Sequence, residues 1–345
     1  MRHSGIELLR VISIFFILVV HVINLVIGAP DRTDLLTKPL SAITTISFES
    51  IAVVCVDVFV IISGWFGIKY SIKGLLKLIF QCVFFYIIEI IIGIIFFEFP
   101  THHYIKGFIS SFFIGWFISA YIMLFILSPI INEFISLRNK KKCDAIIIPT
   151  IIFLLAYGWL VPSSTGNIST FSSGYSALFL LVLYFLVRYY KIFYYQQLNL
   201  KVNCRNYIYI YIVTTVVNII LWIFFTEINI QYISSIIFLY TSPIVILQSY
   251  ALFKTFSTFS FKSKFINKIG ASALSIMLFH FCCGGIIFKR IVSQIYSEYS
   301  SFSCLIRIFA FLIIISIVAL ILDQIRILIW NNIENRFHLL VDKQK

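Results

Sequence analysis

Charge is what this sequence has least of. Only 12% of its 345 residues are Asp, Glu, Lys or Arg, about half the share of a soluble domain, which excludes an ordinary globular protein. Acidic residues are the scarcer sign, 14 against 27 basic ones. Long polar linkers, low-complexity tails and internal repeats are absent, so residues 1–345 read as a single membrane-embedded domain with no fused soluble domain. The seven cysteines (Cys55, Cys82, Cys143, Cys204, Cys282, Cys283 and Cys304) are odd in number and scattered. They show no metal-ligand spacing, and read as reduced thiols without a disulfide framework or a metal site.

What fills the chain instead is apolar sequence, 61% of all residues. Runs of roughly 18 to 25 residues recur from end to end, the length a helix needs to cross a bilayer. The spacing predicts spans at 8–27, 43–66, 75–97, 108–131, 145–161, 175–190, 207–226, 231–253, 269–288 and 302–322. The fold class is thus all-α, a polytopic membrane protein with about ten transmembrane helices. A membrane β-barrel would show short alternating segments instead. The fifth and sixth runs are interrupted by Pro149, Gly158 and Gly174, and the last can continue along the interface towards Trp330.

The net charge of +13 would suggest nucleic acid in a soluble protein, but its distribution sets membrane topology. Arg2, Lys69, Lys73, Lys77, Arg138, Lys140 to Lys142, Arg188, Lys191, Lys201, Arg205, Lys254, Lys262, Lys264, Lys268, Arg326, Arg336, Lys343 and Lys345 fall on one side of the predicted spans. Arg32, Lys38, Lys106, Lys289 and Arg290 fall on the other. By the positive-inside rule both termini are cytoplasmic, and nucleic acid is not an expected partner. The first apolar run is too long for a signal-peptide core. Asn167 formally fits a glycosylation sequon in the uncharged outer segment 162–174, which matters only in a eukaryotic secretory pathway.

Against this apolar background a few ionisable residues stand at depth, where they cost free energy and default to a functional reading. In ELLRVISIFFILVVH, Arg10 and His21 are eleven residues apart. That is close to three helical turns, so both lie on one stripe, roughly 16 Å apart along the axis. Glu7 is one turn before Arg10 and can pair with it. An arginine near a helix end can also simply snorkel to the head groups. In DVFVIISGW, Asp57 lies at a depth from which it could meet and orient His21, as carboxylates do for working histidines. Ser63-Gly64 permits close backbone approach or a helix break. Trp116 and Tyr121 could line a cavity, although aromatic girdles offer a simpler account of Trp116. His280 stands near the predicted depth of His21, and Arg307 and Glu89 complete the set. Lys69, Lys73 and Lys77 stand just below Gly64, where basic residues can dock an anionic head group or merely set topology.

These stretches carry a resemblance. IELLRVISIFFILVVH resembles the first helix of the acyltransferase-3 membrane proteins, with its acidic residue, arginine, ten-residue gap and histidine. DVFVIISGWF is similar to their second-helix motif, GWFISAYIMLFILSPIIN to their Trp-Phe-aliphatic-Ala-Tyr helix ending in Pro, and SALSIMLFH to their late segment ending in His. The four matches occur in family order and span nearly the whole chain. Where many members carry paired arginines after the Ser-Gly helix, this chain has Lys73 and Lys77.

The resemblance implies transfer of an acyl group, usually acetyl, from acyl-CoA to a hydroxyl of an extracytoplasmic glycan or glycolipid, in a bacterial plasma membrane. Acetyl-CoA would be a donor substrate, with no permanently bound cofactor. Arg10 and His21 would then be essential. Arg10, Lys73 and Lys77 would hold the donor phosphates. His21 would act as general base, Asp57 would fix its tautomer, and Ser63 or a freed backbone N–H near Gly64 would face the oxyanion. Trp116, Tyr121 and His280 would contact substrate. An acyl-histidine intermediate is open by the same residues. A transporter or flippase for lipid-linked sugars would use Arg10 and His21 as path-lining groups and would not depend on acyl-CoA. A glycan polymerase would be expected to offer a large arginine-bearing outer loop, which this chain lacks.

Overall fold

The computed structural model describes residues 3–97, 116–137, 140–161, 171–195, 204–281, 285–299 and 301–342. Asn167, Lys106, Arg138, Lys201, Cys282, Cys283 and the first part of the predicted span 108–131 lie outside the described residues. Among the described residues the regular elements are helical, with no strand. That follows from the solvent: in hydrocarbon a helix satisfies its own backbone polar groups, whereas an open strand does not.

The first helices are α1 (Ser4–Val22), α2 (Arg32–Thr37), α3 (Pro39–Ala52), α4 (Cys55–Phe66) and α5 (Ile72–Phe97). Next come α6 (Trp116–Leu137), α7 (Lys140–Phe153), α8 (Ala177–Tyr190), α9 (Cys204–Glu227) and α10 (Gln231–Ile236). The last are α11 (Pro243–Ser257), α12 (Lys264–Ala271), α13 (Ala273–His280), α14 (Ile286–Glu298) and α15 (Ser301–Asp342).

Among the described residues, eight helical segments are long and apolar enough to cross a membrane. They are Ser4–Ile27, Pro39–Phe66, Ile72–Ile95, Trp116–Leu137, Lys140–Leu160, Ala177–Tyr195, Cys204–Glu227 and Phe302–Asn335. The chain is an all-α, multi-pass membrane protein, and the expected ten continuous spans are corrected in two places. The 231–253 run is two helices, α10 and α11, parted at 237–242, where Pro243 opens the second because a first-turn residue needs no N–H partner. The 269–288 run is divided at Ser272, whose carbonyl accepts from both the N–H (3.0 Å) and the hydroxyl (2.6 Å) of Ser275, a local closure that competes with the helix. The last helix extends far past 322: α15 has 42 residues, about 63 Å at the α-helical rise.

The chain falls into two compact units, Met1–Tyr70 with Trp116–Asn267, and Ser71–Gly115 with Lys268–Lys345. In the first, α4 packs along α8, α1 and α11, while α9 packs along α11 and α3. Glycine makes two crossings close, that of α1 on α11 and that of α4 on α8. A Cβ on Gly5 of α1 would stand 2.4 Å from the Phe256 carbonyl oxygen, and one on Gly64 of α4 would stand 3.0 Å from that of Tyr184. Without aqueous exclusion to hold helices together, such small-residue contacts supply the packing. In the second unit α13 packs against α5 and α15, and α14 against α15.

Helix ends in the first unit gather alternately, as up-and-down crossing requires. Ser4 Oγ accepts from the Ser263 N–H (2.9 Å), Tyr184 Oη from the Ile68 N–H (3.0 Å), and the Ile68 carbonyl from Asn132 Nδ2 (3.2 Å). At the other ends Arg32 Nε donates to the Glu227 carbonyl (3.2 Å) and Trp159 Nε1 to that of Ile236 (3.1 Å). The first set of ends carries basic residues assigned above to cytoplasmic loops, among them Lys69, Arg188, Lys262 and Lys264.

Candidate functional site

The site is built on α1. Its residues from Ser4 to Val22 form one helix, so Arg10 and His21 keep the common stripe and the separation of about 16 Å that their spacing predicts. Arg10 Nη1 donates to both oxygens of Glu7, at 3.1 and 3.4 Å. Glu7 is buried, but the Arg10 side chain is 34% exposed, and its other N–H groups have no protein acceptor among the described residues. The carboxylate therefore fixes the guanidinium without using up its fork of donors. His21 is half-buried near the far end of the helix. Just beyond it the α-helix gives way to a π-helical turn, Ile23–Ile27, of a kind that clusters at functional sites.

The second spanning segment is broken, but not where expected. Gly64 lies inside continuous helix, and its role is the close crossing with α8; no freed N–H stands there to meet an oxyanion. The break is at Val53-Val54, between α3 and α4. Carbonyls near it are bonded from α11: Gln248 Nε2 donates to Ser50 O (2.8 Å) and Ser249 Oγ to Val54 O (3.4 Å). This starts a helix in mid-membrane, and Asp57 sits in its first turn, where the helix dipole favours negative charge. Asp57 is fully buried, and neither carboxylate oxygen accepts a hydrogen bond. The Asp57–His21 hydrogen bond expected from the sequence is thus not formed here. Asp57 instead lies within electrostatic reach of Cys55 and Tyr240, whose Sγ and Oη are 4.0 Å apart.

Ser63 and Tyr121 do meet. Ser63 Oγ donates to the Phe59 carbonyl (2.9 Å) and lies 3.3 Å from Tyr121 Oη. Tyr121 stacks on Phe117, which meets Phe59 edge-on. Trp116 does not serve as an isolated girdle residue: its ring centroid is 4.8 Å from that of Tyr175 and 6.0 Å from that of Tyr240. Arg10, His21, Asp57, Ser63, Trp116 and Tyr121 therefore all belong to the first unit.

Lys73, Lys77 and His280 belong to the second unit. Lys73 is ion-paired with Glu334, and Lys77 is exposed. His280 is buried, with Nδ1 3.1 Å from the Ile276 carbonyl of its own helix. It borders an apolar cavity of about 220 Å³ with Phe279, Phe288, Phe311 and Ile92 among its walls. Arg307 stacks over the Tyr299 ring at 3.9 Å.

A family model described as an acyltransferase domain, that of the acyltransferase-3 family, matches residues 3–323. The chain belongs to this family. No curated protein and no solved structure matches it. Membership makes this acyltransferase-3 protein a multi-pass membrane acyltransferase, and the match takes in α1 with Arg10 and His21, as well as α4, α6 and α13.

Three features of this acyltransferase escaped sequence reasoning. The break before Asp57 has no Pro or Gly to mark it; its signal is the polar set on facing helices. Gln248 Nε2 also donates to Thr215 Oγ1 (2.7 Å), Ser50 Oγ to the Thr215 carbonyl (2.9 Å), and Asn218 Nδ2 to Gln248 Oε1 (3.4 Å). Tyr175 and Tyr240 are hidden among 19 tyrosines. Arg188, Lys191 and Lys254 looked like ordinary topology signals, yet two of them turn inward, as described below.

Proposed function

We propose that this acyltransferase moves an acyl group, preferentially acetyl, from acyl-CoA at the cytoplasmic face to a hydroxyl of an extracytoplasmic cell-surface polysaccharide or glycolipid, in a bacterial plasma membrane. The observation that carries this reading is α1 itself. One continuous helix presents a guanidinium with open donors near the cytoplasmic end and an imidazole about 16 Å further along. Coenzyme A has an anionic nucleotide and an arm of comparable reach, so a thioester held by Arg10 at its phosphates would arrive at the level of His21.

The chemistry then needs one proton acceptor. The acceptor hydroxyl oxygen attacks the thioester carbonyl carbon while neutral His21 takes its proton. The C–S bond breaks, and the proton passes to the departing CoA thiolate. An imidazole can both take a proton and return it, which suits both halves of that transfer. Asp57, with two bare acceptor oxygens, supplies a partner for the imidazolium or for the incoming hydroxyl. Tyr121 offers a hydroxyl donor to the oxyanion, with Ser63 Oγ beside it turning its own proton to the Phe59 carbonyl, and Trp116 with Tyr175 and Tyr240 forms the aromatic wall for the acceptor.

The test uses the protein in nanodiscs, measuring acetyl-CoA binding and slow thioester hydrolysis for wild type, Arg10→Ala and His21→Ala. Wild type should bind and cleave. Arg10→Ala should weaken binding about tenfold or more, the scale of a lost charge-assisted contact. His21→Ala should bind normally and lose roughly 10²- to 10⁴-fold in turnover. Near-normal turnover by His21→Ala overturns the assignment. A wild type that neither binds nor cleaves acetyl-CoA overturns the donor, and sugar-lipid flipping becomes the activity to measure.

A further inference from the structure

Three cations converge at the cytoplasmic ends of α4, α8 and α11, all in the first unit. Arg188 is in the last turn of α8, Lys191 follows it one turn later, and Lys254 is in the last turn of α11. A cation at a helix C-terminus complements the dipole, and Lys191 does so directly: its Nζ donates to the Trp65 carbonyl at 2.6 Å. That account does not extend to the group. A dipole-complementing cation can keep its hydration, but Lys254 is only 1% exposed. Its ammonium stands 4.4 Å from the centroid of the Trp65 ring and 3.9 Å from that of Tyr195. Lys191 Nζ stands 5.5 Å from the same Trp65 ring. Arg188 Nε is buried with no hydrogen-bond partner, and its guanidinium presses on Gly67, where an added Cβ would lie 2.9 Å from Cζ.

Among the described residues no carboxylate is paired with these three cations. Among the described residues the nearby acid on α1, Glu7, is committed to Arg10, and Asp144 is bonded by Tyr189. Three cations drawn together without an anion repel one another, and desolvating one of them adds to the cost. Arrangements of that kind persist where an anion completes them. The flanking rings of Trp65, Tyr195 and Tyr207 add flat surfaces able to hold a planar base. The N-terminal end of α1 meets this same end of α11, Gly5 lying against Phe256.

We propose that Arg188, Lys191 and Lys254 form a binding site for the phosphate groups of a phosphorylated ligand at the cytoplasmic face. Resting on the function proposed above, that ligand is the nucleotide part of the acyl donor. Lys73, already paired with Glu334, is then not needed for it.

The experiment measures binding of acetyl-CoA and of adenosine 3′,5′-bisphosphate to the full chain in phosphatidylcholine nanodiscs, and retention of phosphatidylglycerol by the same protein, for wild type, Lys254→Met and Arg188→Gln. Lys254→Met keeps the buried stem and removes the charge, so melting in detergent should not fall. The expected result is a loss of about tenfold or more in affinity for both nucleotides, with melting unchanged or raised. If wild type ignores acetyl-CoA while phosphatidylglycerol retention depends on Lys254, the anion site stands with a lipid ligand and the donor reading falls. If acetyl-CoA binds wild type and both variants equally well, the site is overturned while the acyltransferase reading survives. If neither nucleotides nor lipid depend on these residues, the site is overturned outright. A drop in melting with lost binding in Lys254→Met is resolved by Arg188→Gln, whose unchanged affinity would overturn the site.

Discussion

The two units handle charge in opposite ways. In the second, buried charge is matched: Arg326 Nε and Nη2 bond both oxygens of Asp323 at 2.6 and 3.2 Å, and Gln81 Nε2 reaches Asp323 Oδ1 at 3.2 Å. Arg326 Nη1 alone is left over. In the first unit Asp57 is buried with both oxygens bare, and Arg188 and Lys254 turn inward with no counter-charge. Self-contained pairs satisfy their own charge and ask nothing of a ligand. Bare groups cost stability and are tolerated where a ligand or a reaction uses them. We propose on this contrast that the second unit's Asp323–Arg326 pair is structural, and that the unmatched groups of the first unit, together with the open donors of Arg10, do the work.

The largest effect expected in the second unit comes from breaking its pair. Asp323→Leu leaves Arg326 buried and unpaired, and should destabilise the protein by about 3–5 kcal/mol, read as a fall in melting temperature in detergent. Adding Arg326→Met should recover most of the loss, because replacing both partners by apolar groups removes the stranded charge. If the double variant remains as unstable as the single one, these residues are not a self-contained pair and the contrast between the units weakens.

A smaller effect sharpens the other side. Gln248→Leu in the first unit removes the partners of the Ser50 carbonyl and of Asn218 Nδ2, and should cost about 1–3 kcal/mol, the penalty of an unsatisfied buried polar group. Because that network braces the break preceding Asp57, turnover should also drop while acetyl-CoA affinity is kept. Full activity with lowered melting would show that the break is only a packing feature.

The helices, their number to within two and the α1 stripe were legible in the sequence, because hydrophobic run length and an eleven-residue spacing are one-dimensional signals. The pairing of Glu7 with Arg10 follows from the same periodicity. The partner of Asp57 was not legible. Whether an aspartate meets a histidine depends on the rotation of α4 against α1, and the break at Val53-Val54 is held from α11, some 200 residues away in sequence. The inward turn of Lys254 was hidden for a related reason: its position near a cytoplasmic loop fully accounts for a lysine, and only the packed rings of Trp65 and Tyr195 show that it has left the water.

The smallest expected effect tests the reading that sets Lys73 beside Arg10 at the donor phosphates. Its side chain is 61% exposed and its pairing with Glu334 lies at the surface. An exposed pair of this kind contributes about 1 kcal/mol at most, so Lys73→Gln should barely move the melting temperature. If the donor phosphates sit among Arg188, Lys191 and Lys254, acetyl-CoA affinity should change by less than about threefold, and the residual change should fade with salt as for any exposed charge. A loss of about tenfold or more at physiological salt would return Lys73 to the donor site.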